Sequence, residues 1–168
     1  DAAAREILPR FRRLDPGTVK PKSNVTDLVT EADTEAERWI KVEIAKLWPD
    51  AVVVGEESVA ADPALLHRVT VVDLAITVDP VDGTANFAAG LPLFAVMASV
   101  VVKGENVAGI IYDPMGDDWM IAERGAGAWL RRPDGQSRRL AVADPVPVDQ
   151  MIAHVSIGFL DPASKPKV

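Results

Sequence analysis

The sequence predicts an α+β fold, an antiparallel sheet layered with helices, and three observations carry that expectation. Apolar residues recur at helical spacing only in the amino-terminal part of the chain. Beyond it, β-branched runs take over, with alternating or continuous apolar character. The breaks between the later runs, Lys103-Gly104-Glu105-Asn106 and Pro114-Met115-Gly116-Asp117, are short enough to be hairpins, so the strands should follow one another as a meander. Helices first and strands after give a sheet with helices on one face.

Each element can be justified in order. Ala3, Ile7, Phe11 and Leu14 fall at helical spacing, and Pro9 should kink or divide that helix. The stretch "DPGTVKPKSN" is a loop by its Pro, Gly and Asn content. A second helix carries an apolar stripe of Ala36, Ile40, Ile44, Leu47 and Trp48. Thr30 and Asp33 are spaced as a capping box at its start, and Pro49 stops it. "AVVVGEES" and "LAITVDPVDGT" then read as strands that each run into acids. "LFAVMASVVV", "VAGIIYD" and "DWMIAE" follow as strands, with "GAGAWL" and "SRRLAV" extending the meander and a further strand before the polar tail "LDPASKPKV".

Composition bounds the function. The 168 residues are 48% hydrophobic and 26% charged, as expected of a single globular domain. A net charge of -7 argues against a nucleic-acid partner, though bound cations could still recruit an anionic substrate. There is no cysteine, which excludes disulfides, thiolate zinc sites and cysteine nucleophiles. The longest apolar run, Leu91 to Val102, is too short to span a bilayer. No export leader is visible, so the expectation is a cytoplasmic protein with no membrane partner. His67 and His154 stand apart from the acids and read as ordinary surface or core residues. Trp39, Trp48, Trp119 and Trp129 read as core or half-buried packing.

The chemistry concentrates in the acids. Glu56-Glu57 follows Val52-Val53-Val54, and Asp79 follows Ile76-Thr77-Val78. Gathered carboxylates repel one another unless a hard cation joins them, and oxygen ligands without His or Cys favour Mg²⁺. In "DPVDGT", Pro80 should stop the strand. A tight turn would then bring Asp79 and Asp82 to one side with the Val81 carbonyl. Gly83 lets backbone approach a ligand, and a helix begun by "TANFAAG" would point the amides of Gly83 and Thr84 at a phosphate. Each motif alone has a plainer reading: a turn for Asp79 to Gly83, a solvated edge for Glu56-Glu57, a helix cap for Asp33.

Together the motifs resemble the inositol monophosphatase family, within the wider group of Mg²⁺-dependent, lithium-sensitive sugar-phosphate phosphatases. "DPVDGTANFAAGLP" is similar to its D-P-[ILV]-D-G-T-x-N-F-x-x-G-x-P signature, "GEES" to its G-E-E-S and "DLVTEAD" to its D-x-V-T-x-x-D. Lys22-Ser23 and "ERGAGAW" match flanking features in the same order. The resemblance implies the amino-terminal half of a layered αβαβα fold. It makes Glu56, Asp79 and the Val81 carbonyl ligands of a first Mg²⁺, with Asp79 bridging to a second ion that Asp82 also holds. Asp33 and Thr84 would orient the attacking water, Glu56 assisting. Asp82, Gly83 and Thr84 would meet the substrate, with Glu57 and Lys22 beside the site. A small phosphorylated metabolite as substrate and a homodimer are further implications.

One family motif, W-D-x-A-A-G, has no match here; Trp119 is preceded by Asp118 instead. The expectation is therefore that residues 1–168 form an amino-terminal α+β domain and that the second half of such an enzyme lies outside them. The sequence reading is a Mg²⁺-dependent phosphomonoesterase acting through metal-activated water. The alternative is a metal-binding or dimerisation module without turnover. An aspartyl-phosphate mechanism is disfavoured, because it needs D-x-D where this chain has D-x-x-D.

Overall fold

The computed structural model describes residues 1–15, 17–22 and 28–152. Ser23, Asp27, His154 and the expected last strand lie outside the described residues. The chain begins as a short π-helical turn, Ala3–Ile7, that tightens into a 3₁₀ turn, Leu8–Arg10, at Pro9. Proline thus divides this helix as expected; Phe11 and Leu14 pack against the core from the segment after it. A small antiparallel pair, β1 (Lys20–Pro21) and β2 (Leu28–Val29), leads into the long helix α1 (Glu31–Leu47). Strand β3 (Val52–Gly55) is followed by two short helices, α2 (Glu56–Ala61) and α3 (Leu65–Val71). Then come β4 (Leu74–Asp82), α4 (Thr84–Ala88) and five strands: β5 (Ala95–Val102), β6 (Glu105–Asp113), β7 (Asp118–Glu123), β8 (Gly127–Arg131) and β9 (Ser137–Leu140).

One sheet runs in chain order from β3 to β9. The meander from β4 onward is antiparallel, as its short turns require. The expected all-antiparallel sheet needs one correction: β3 and β4 are parallel. Two helices separate them, long enough for the crossover that parallel pairing demands. After β3 the acids Glu56 and Glu57 open α2, which sets aside the plainer reading of a solvated strand edge.

The capping box of α1 forms as read. The Thr30 hydroxyl accepts from the Ala32 amide at 3.2 Å, and Asp33 Oδ2 accepts from the Thr30 amide at 2.8 Å. The buried face differs from the expected stripe. Ala32, Asp33, Ala36 and Glu37 are buried, whereas Leu47 and Trp48 at the other end are 68% and 50% exposed. Full burial is confined to the first two turns of the helix. Small alanines let its backbone approach closely there, and two carboxylates share that face.

The core gathers Ala3, Ile7, Ala32, Ala36, Val81, Phe87 and Phe94. Phe87 meets Phe94 edge-on at 5.0 Å between centroids, and Phe11 lies 5.6 Å from Phe87 and 5.2 Å from Phe94. Such clusters combine large buried area with favourable ring geometry. Because Val81 and Phe87 anchor in it, the turn between them is held from beneath. Phe87→Ala should destabilise the fold by about 3–5 kcal/mol, the cost of emptying a fully buried aromatic site. Urea unfolding followed by tryptophan fluorescence measures it, and a loss below about 1 kcal/mol would show that the cluster is not the keystone of the core.

Candidate active site

Parallel pairing positions the first two acids. Gly55 pairs with Val78, the last parallel pair, so the next residues, Glu56 just past the end of β3 and Asp79 further along β4, emerge side by side. Their carboxyl groups are close enough to interact strongly through their charges. Burial first, then the neighbouring Glu56 carboxyl and the Asp82 charge, push the Asp79 carboxyl up to about 7. The Val81 amide, donating to Asp79 Oδ1 at 3.1 Å, opposes the rise.

A bulge, not the expected tight turn, carries Asp82. Strand β4 continues through Pro80, and its register against β5 shifts between Asp79, paired with Met97, and Asp82, paired with Ala95. Three steps along β4 thus match two along β5. The extra residue reverses the alternation, which in a regular strand would send Asp79 and Asp82 to opposite faces. Pro80 and Val81 are buried beneath the bulge, and Asp82 is exposed. Gly83 ends the strand with φ +95°, and a Cβ there would come within 2.8 Å of the Leu93 carbonyl, so this position requires glycine.

The next residue closes a second pair. Thr84 Oγ1 lies 3.0 Å from Asp33 Oδ1 and 2.9 Å from the Val81 carbonyl oxygen, and its single proton serves one of them at a time. Asp33 is fully buried. Its Oδ2 accepts from both the amide and the hydroxyl of Thr30. Burial raises its pKa against the opposing pull of the Thr30 and Thr84 hydrogen bonds. Asp33 is therefore both the helix cap of the plainer reading and the partner of Thr84.

Lys22 proves more central than its flanking position in the sequence suggests. Its ammonium stands 2.7 Å from Glu56 Oε1 and 2.7 Å from Glu57 Oε1. Burial works against its charge, but the two glutamates outweigh it and hold Lys22 well above its usual range. Glu57 is raised by burial despite Lys22. Among the described residues no group of three or more Asp, Glu or His side chains is arranged to hold a metal ion. Glu56 and Asp82 both act on Asp79 through their charges. Like charges resist closer approach, and the nearest cation, Lys22, is spent on the glutamates.

The donor chemistry nonetheless suits a hard cation. Two carboxyl groups forced together, a third nearby and a backbone carbonyl offer only oxygen, the ligand set of Mg²⁺ or Ca²⁺ rather than of zinc or copper. The sequence reading missed Glu37. It is buried on the same face of α1 as Asp33, one turn on, and reaches the start of α2. Burial favours its neutral form, but Lys41, Ser58 and the Glu57 amide outweigh this and lower its pKa. The signal was present as a second acid four residues after Asp33 on the helix's small-residue face, with Lys41 four residues further.

The Inositol monophosphatase family model matches residues 1–160. The chain belongs to this family. It is 34% identical over 124 residues to a fructose-1,6-bisphosphatase/inositol-1-monophosphatase of Thermotoga maritima, covering 74% of this chain and 44% of that protein. An inositol-1-monophosphatase of Mycobacterium leprae is 38% identical over 144 residues, covering 85% and 47%. A relative in Pasteurella multocida, 38% identical over 117 residues and covering 70% and 41%, is named Nus factor SuhB. Among solved structures, the extragenic suppressor protein SuhB of Bartonella henselae superposes with a TM-score of 0.63 at 34% identity, covering 82% of this chain and 47% of that one. The chain spans less than half the length of these relatives. The mixed sheet layered with helices is the arrangement shared with them.

Asp79 generates a pH dependence of known sign. Its folded value, about 7, exceeds the unfolded 3.8, so folding favours the protonated form. Stability from this group is complete below about pH 4 and is lost as the pH rises through about 7. In chelator-containing buffer the urea midpoint should therefore fall between those limits. Asp79→Asn should remove roughly 1–2 kcal/mol of the decline, a figure discounted for partial exposure. An identical pH profile for the variant would mean that Asp79 ionises freely.

Proposed function

We propose that this chain is the amino-terminal part of a Mg²⁺-dependent phosphomonoesterase that hydrolyses a small phosphorylated alcohol such as an inositol monophosphate. The observation that carries the reading is the pair of neighbouring carboxyls, Glu56 and Asp79, each one residue past the parallel pairing of β3 with β4, together with the buried Asp33–Thr84 pair. Glu56, Asp79, Asp82 and the Val81 carbonyl would hold the cations. When bound, these would supply positive charge to the phosphate oxygens and acidity to a coordinated water.

The chain's own residues have separable tasks. With its proton turned toward Asp33 Oδ1, the Thr84 hydroxyl keeps its lone pairs for an attacking water. A proton leaving that water passes to Thr84 Oγ1 as Thr84 gives its own to Asp33, whose raised pKa suits it to receive one. The water oxygen bonds to phosphorus, the ester P–O bond breaks, and the alcohol leaves with a proton from solvent. Gly83 leaves its backbone open to a phosphate, and Asp82, exposed beside it, is placed for a cation or a substrate hydroxyl. Lys22 would share its glutamates with the incoming charge. A homodimeric, cytoplasmic enzyme without nucleic-acid partner completes the proposal; among the described residues no helix is long and apolar enough to cross a membrane.

A module without turnover is the second reading, favoured by the Nus-factor name of one relative. Phosphate release by the full-length protein, with and without Mg²⁺, separates the two. Inositol monophosphate, fructose 1,6-bisphosphate, adenosine 3′,5′-bisphosphate and histidinol phosphate form the substrate panel. Mg²⁺-dependent release from at least one ester is expected, and none from any would sustain the second reading.

Two substitutions test the roles. Asp79→Asn should abolish turnover while leaving the fold intact, since the amide keeps the shape of the bulge and loses the charge. Wild-type rates at saturating Mg²⁺ would remove Asp79 from the ligand set. Thr84→Ala should slow hydrolysis by ~10²-fold or more, the scale of a positioned proton-transfer group. An unchanged rate would leave Thr84 a structural link to Asp33.

A further inference from the structure

We infer that Glu37 is a positioning residue, whose carboxylate fixes the Gly55–Ser58 turn so that Glu56 leaves the backbone facing Asp79. The inference rests on the reading of Glu56 as a cation ligand. Helix α2 starts at Glu56 with Gly55 as its N-cap residue, and glycine has no side chain to satisfy the first free amides. Glu37 supplies that cap from another helix. Its Oε2 accepts from the Glu57 amide at 2.8 Å, and its Oε1 accepts from the Ser58 hydroxyl at 2.5 Å and the Lys41 ammonium at 2.8 Å. Lys41 also donates to Ser58.

Gly55 is shaped to this contact. Its φ is ordinary, but a Cβ there would fall inside the Glu37 carboxyl group, so any larger residue would push Glu37 out of this position. Gly55 and Glu57 are thus both fastened, one by close packing and the other by a charged hydrogen bond. The α-carbon of Glu56 lies between them. An exposed Ser or Asp at the cap would stabilise α2 without burying a carboxylate, which is costly unless fully paired. Glu37 is only 4% exposed, so the arrangement buys rigidity at the start of α2. Partners one step behind a metal ligand set its orientation, and their loss commonly weakens metal binding ~10–100-fold.

The test is Mg²⁺ titration calorimetry on the full-length protein, well below the melting temperature of every variant. Glu37→Gln keeps size and polarity but loses the charge shared among three donors, and should raise the Mg²⁺ Kd about 10-fold. Ile7→Val, in the aromatic core away from the acids, is the control: it should lower the melting temperature and leave Kd unmoved. If Glu37→Gln does not fold, Lys41→Gln replaces it. That side chain is partly exposed, and its loss should raise Kd about threefold, the scale of one net hydrogen bond. A lowered melting temperature with unchanged Kd in the Glu37 or Lys41 variant overturns the inference and leaves Glu37 a structural cap. A wild-type protein that binds no Mg²⁺ overturns the metal reading and this inference with it, so the two failures are told apart.

Discussion

The buried face of helix α1 is the constraint on which the site depends. It carries two carboxylates, Asp33 and Glu37, one turn apart, each nearly or wholly withdrawn from water. Burying a carboxylate is unfavourable unless each oxygen finds donors, and both groups are satisfied. Asp33 takes the Thr30 amide and hydroxyl on one oxygen and the Thr84 hydroxyl on the other. Glu37 takes the Glu57 amide on one oxygen, and Ser58 and Lys41 on the other. One carboxylate therefore ties the helix to the turn after β4, and the other ties it to the turn after β3. Moving α1 by a fraction of a turn would loosen both acidic loops together.

That arrangement explains what was legible in the sequence and what was not. The capping box at Thr30 and Asp33, the break at Pro9 and the meander from Ala95 onward are local, set by side chains within a few residues of one another. They could be read directly. The parallel pairing of β3 and β4 could not, because period and propensity are the same for a strand whichever way its neighbour runs. The crossover of two short helices between Glu56 and Val71 held the clue, and in the sequence it reads as acids followed by an unremarkable segment.

The site shows the same division. The motifs around Glu56, Asp79, Asp82 and Thr84 were visible as strings, and the structure brings Glu56 to Asp79 and Thr84 to Asp33. What the strings concealed was how Asp79 and Asp82 share a side: Pro80 reads as a strand breaker, yet it sits inside a strand at a bulge. A bulge tolerates it, since proline's missing donor falls where the ladder is already interrupted. Lys22 and Glu37 were harder, since their partners lie some 34 and 20 residues away and depend on tertiary structure. A lysine in a loop and a glutamate in a helix are ordinary; only packing makes them part of a site.

The location of the site then follows from strand direction. In an antiparallel pair, the carboxyl end of one strand lies beside the amino end of the next, so residues that follow two such strands diverge to opposite edges of the sheet. Among the described residues β3 and β4 are the one pair of neighbours that run the same way, and the end of their parallel pairing at Gly55 and Val78 delivers Glu56 and Asp79 to one place. Open sheets with parallel strands gather ligands at those carboxyl ends for the same reason. The rest of the meander contributes a platform of small and apolar side chains, with Thr77 hydrogen-bonded to Ser99 at 2.6 Å and Met97, Ile111 and Met120 in a row across neighbouring strands. Glu56 and Asp79 line one end of that apolar trough. Carboxyl groups at the margin of an apolar surface are poorly hydrated, so the pairing that sets their positions also pushes Asp79 toward neutrality. Reversing β3 alone would leave every motif in the sequence intact and carry Glu56 to the far edge of the sheet, away from Asp79.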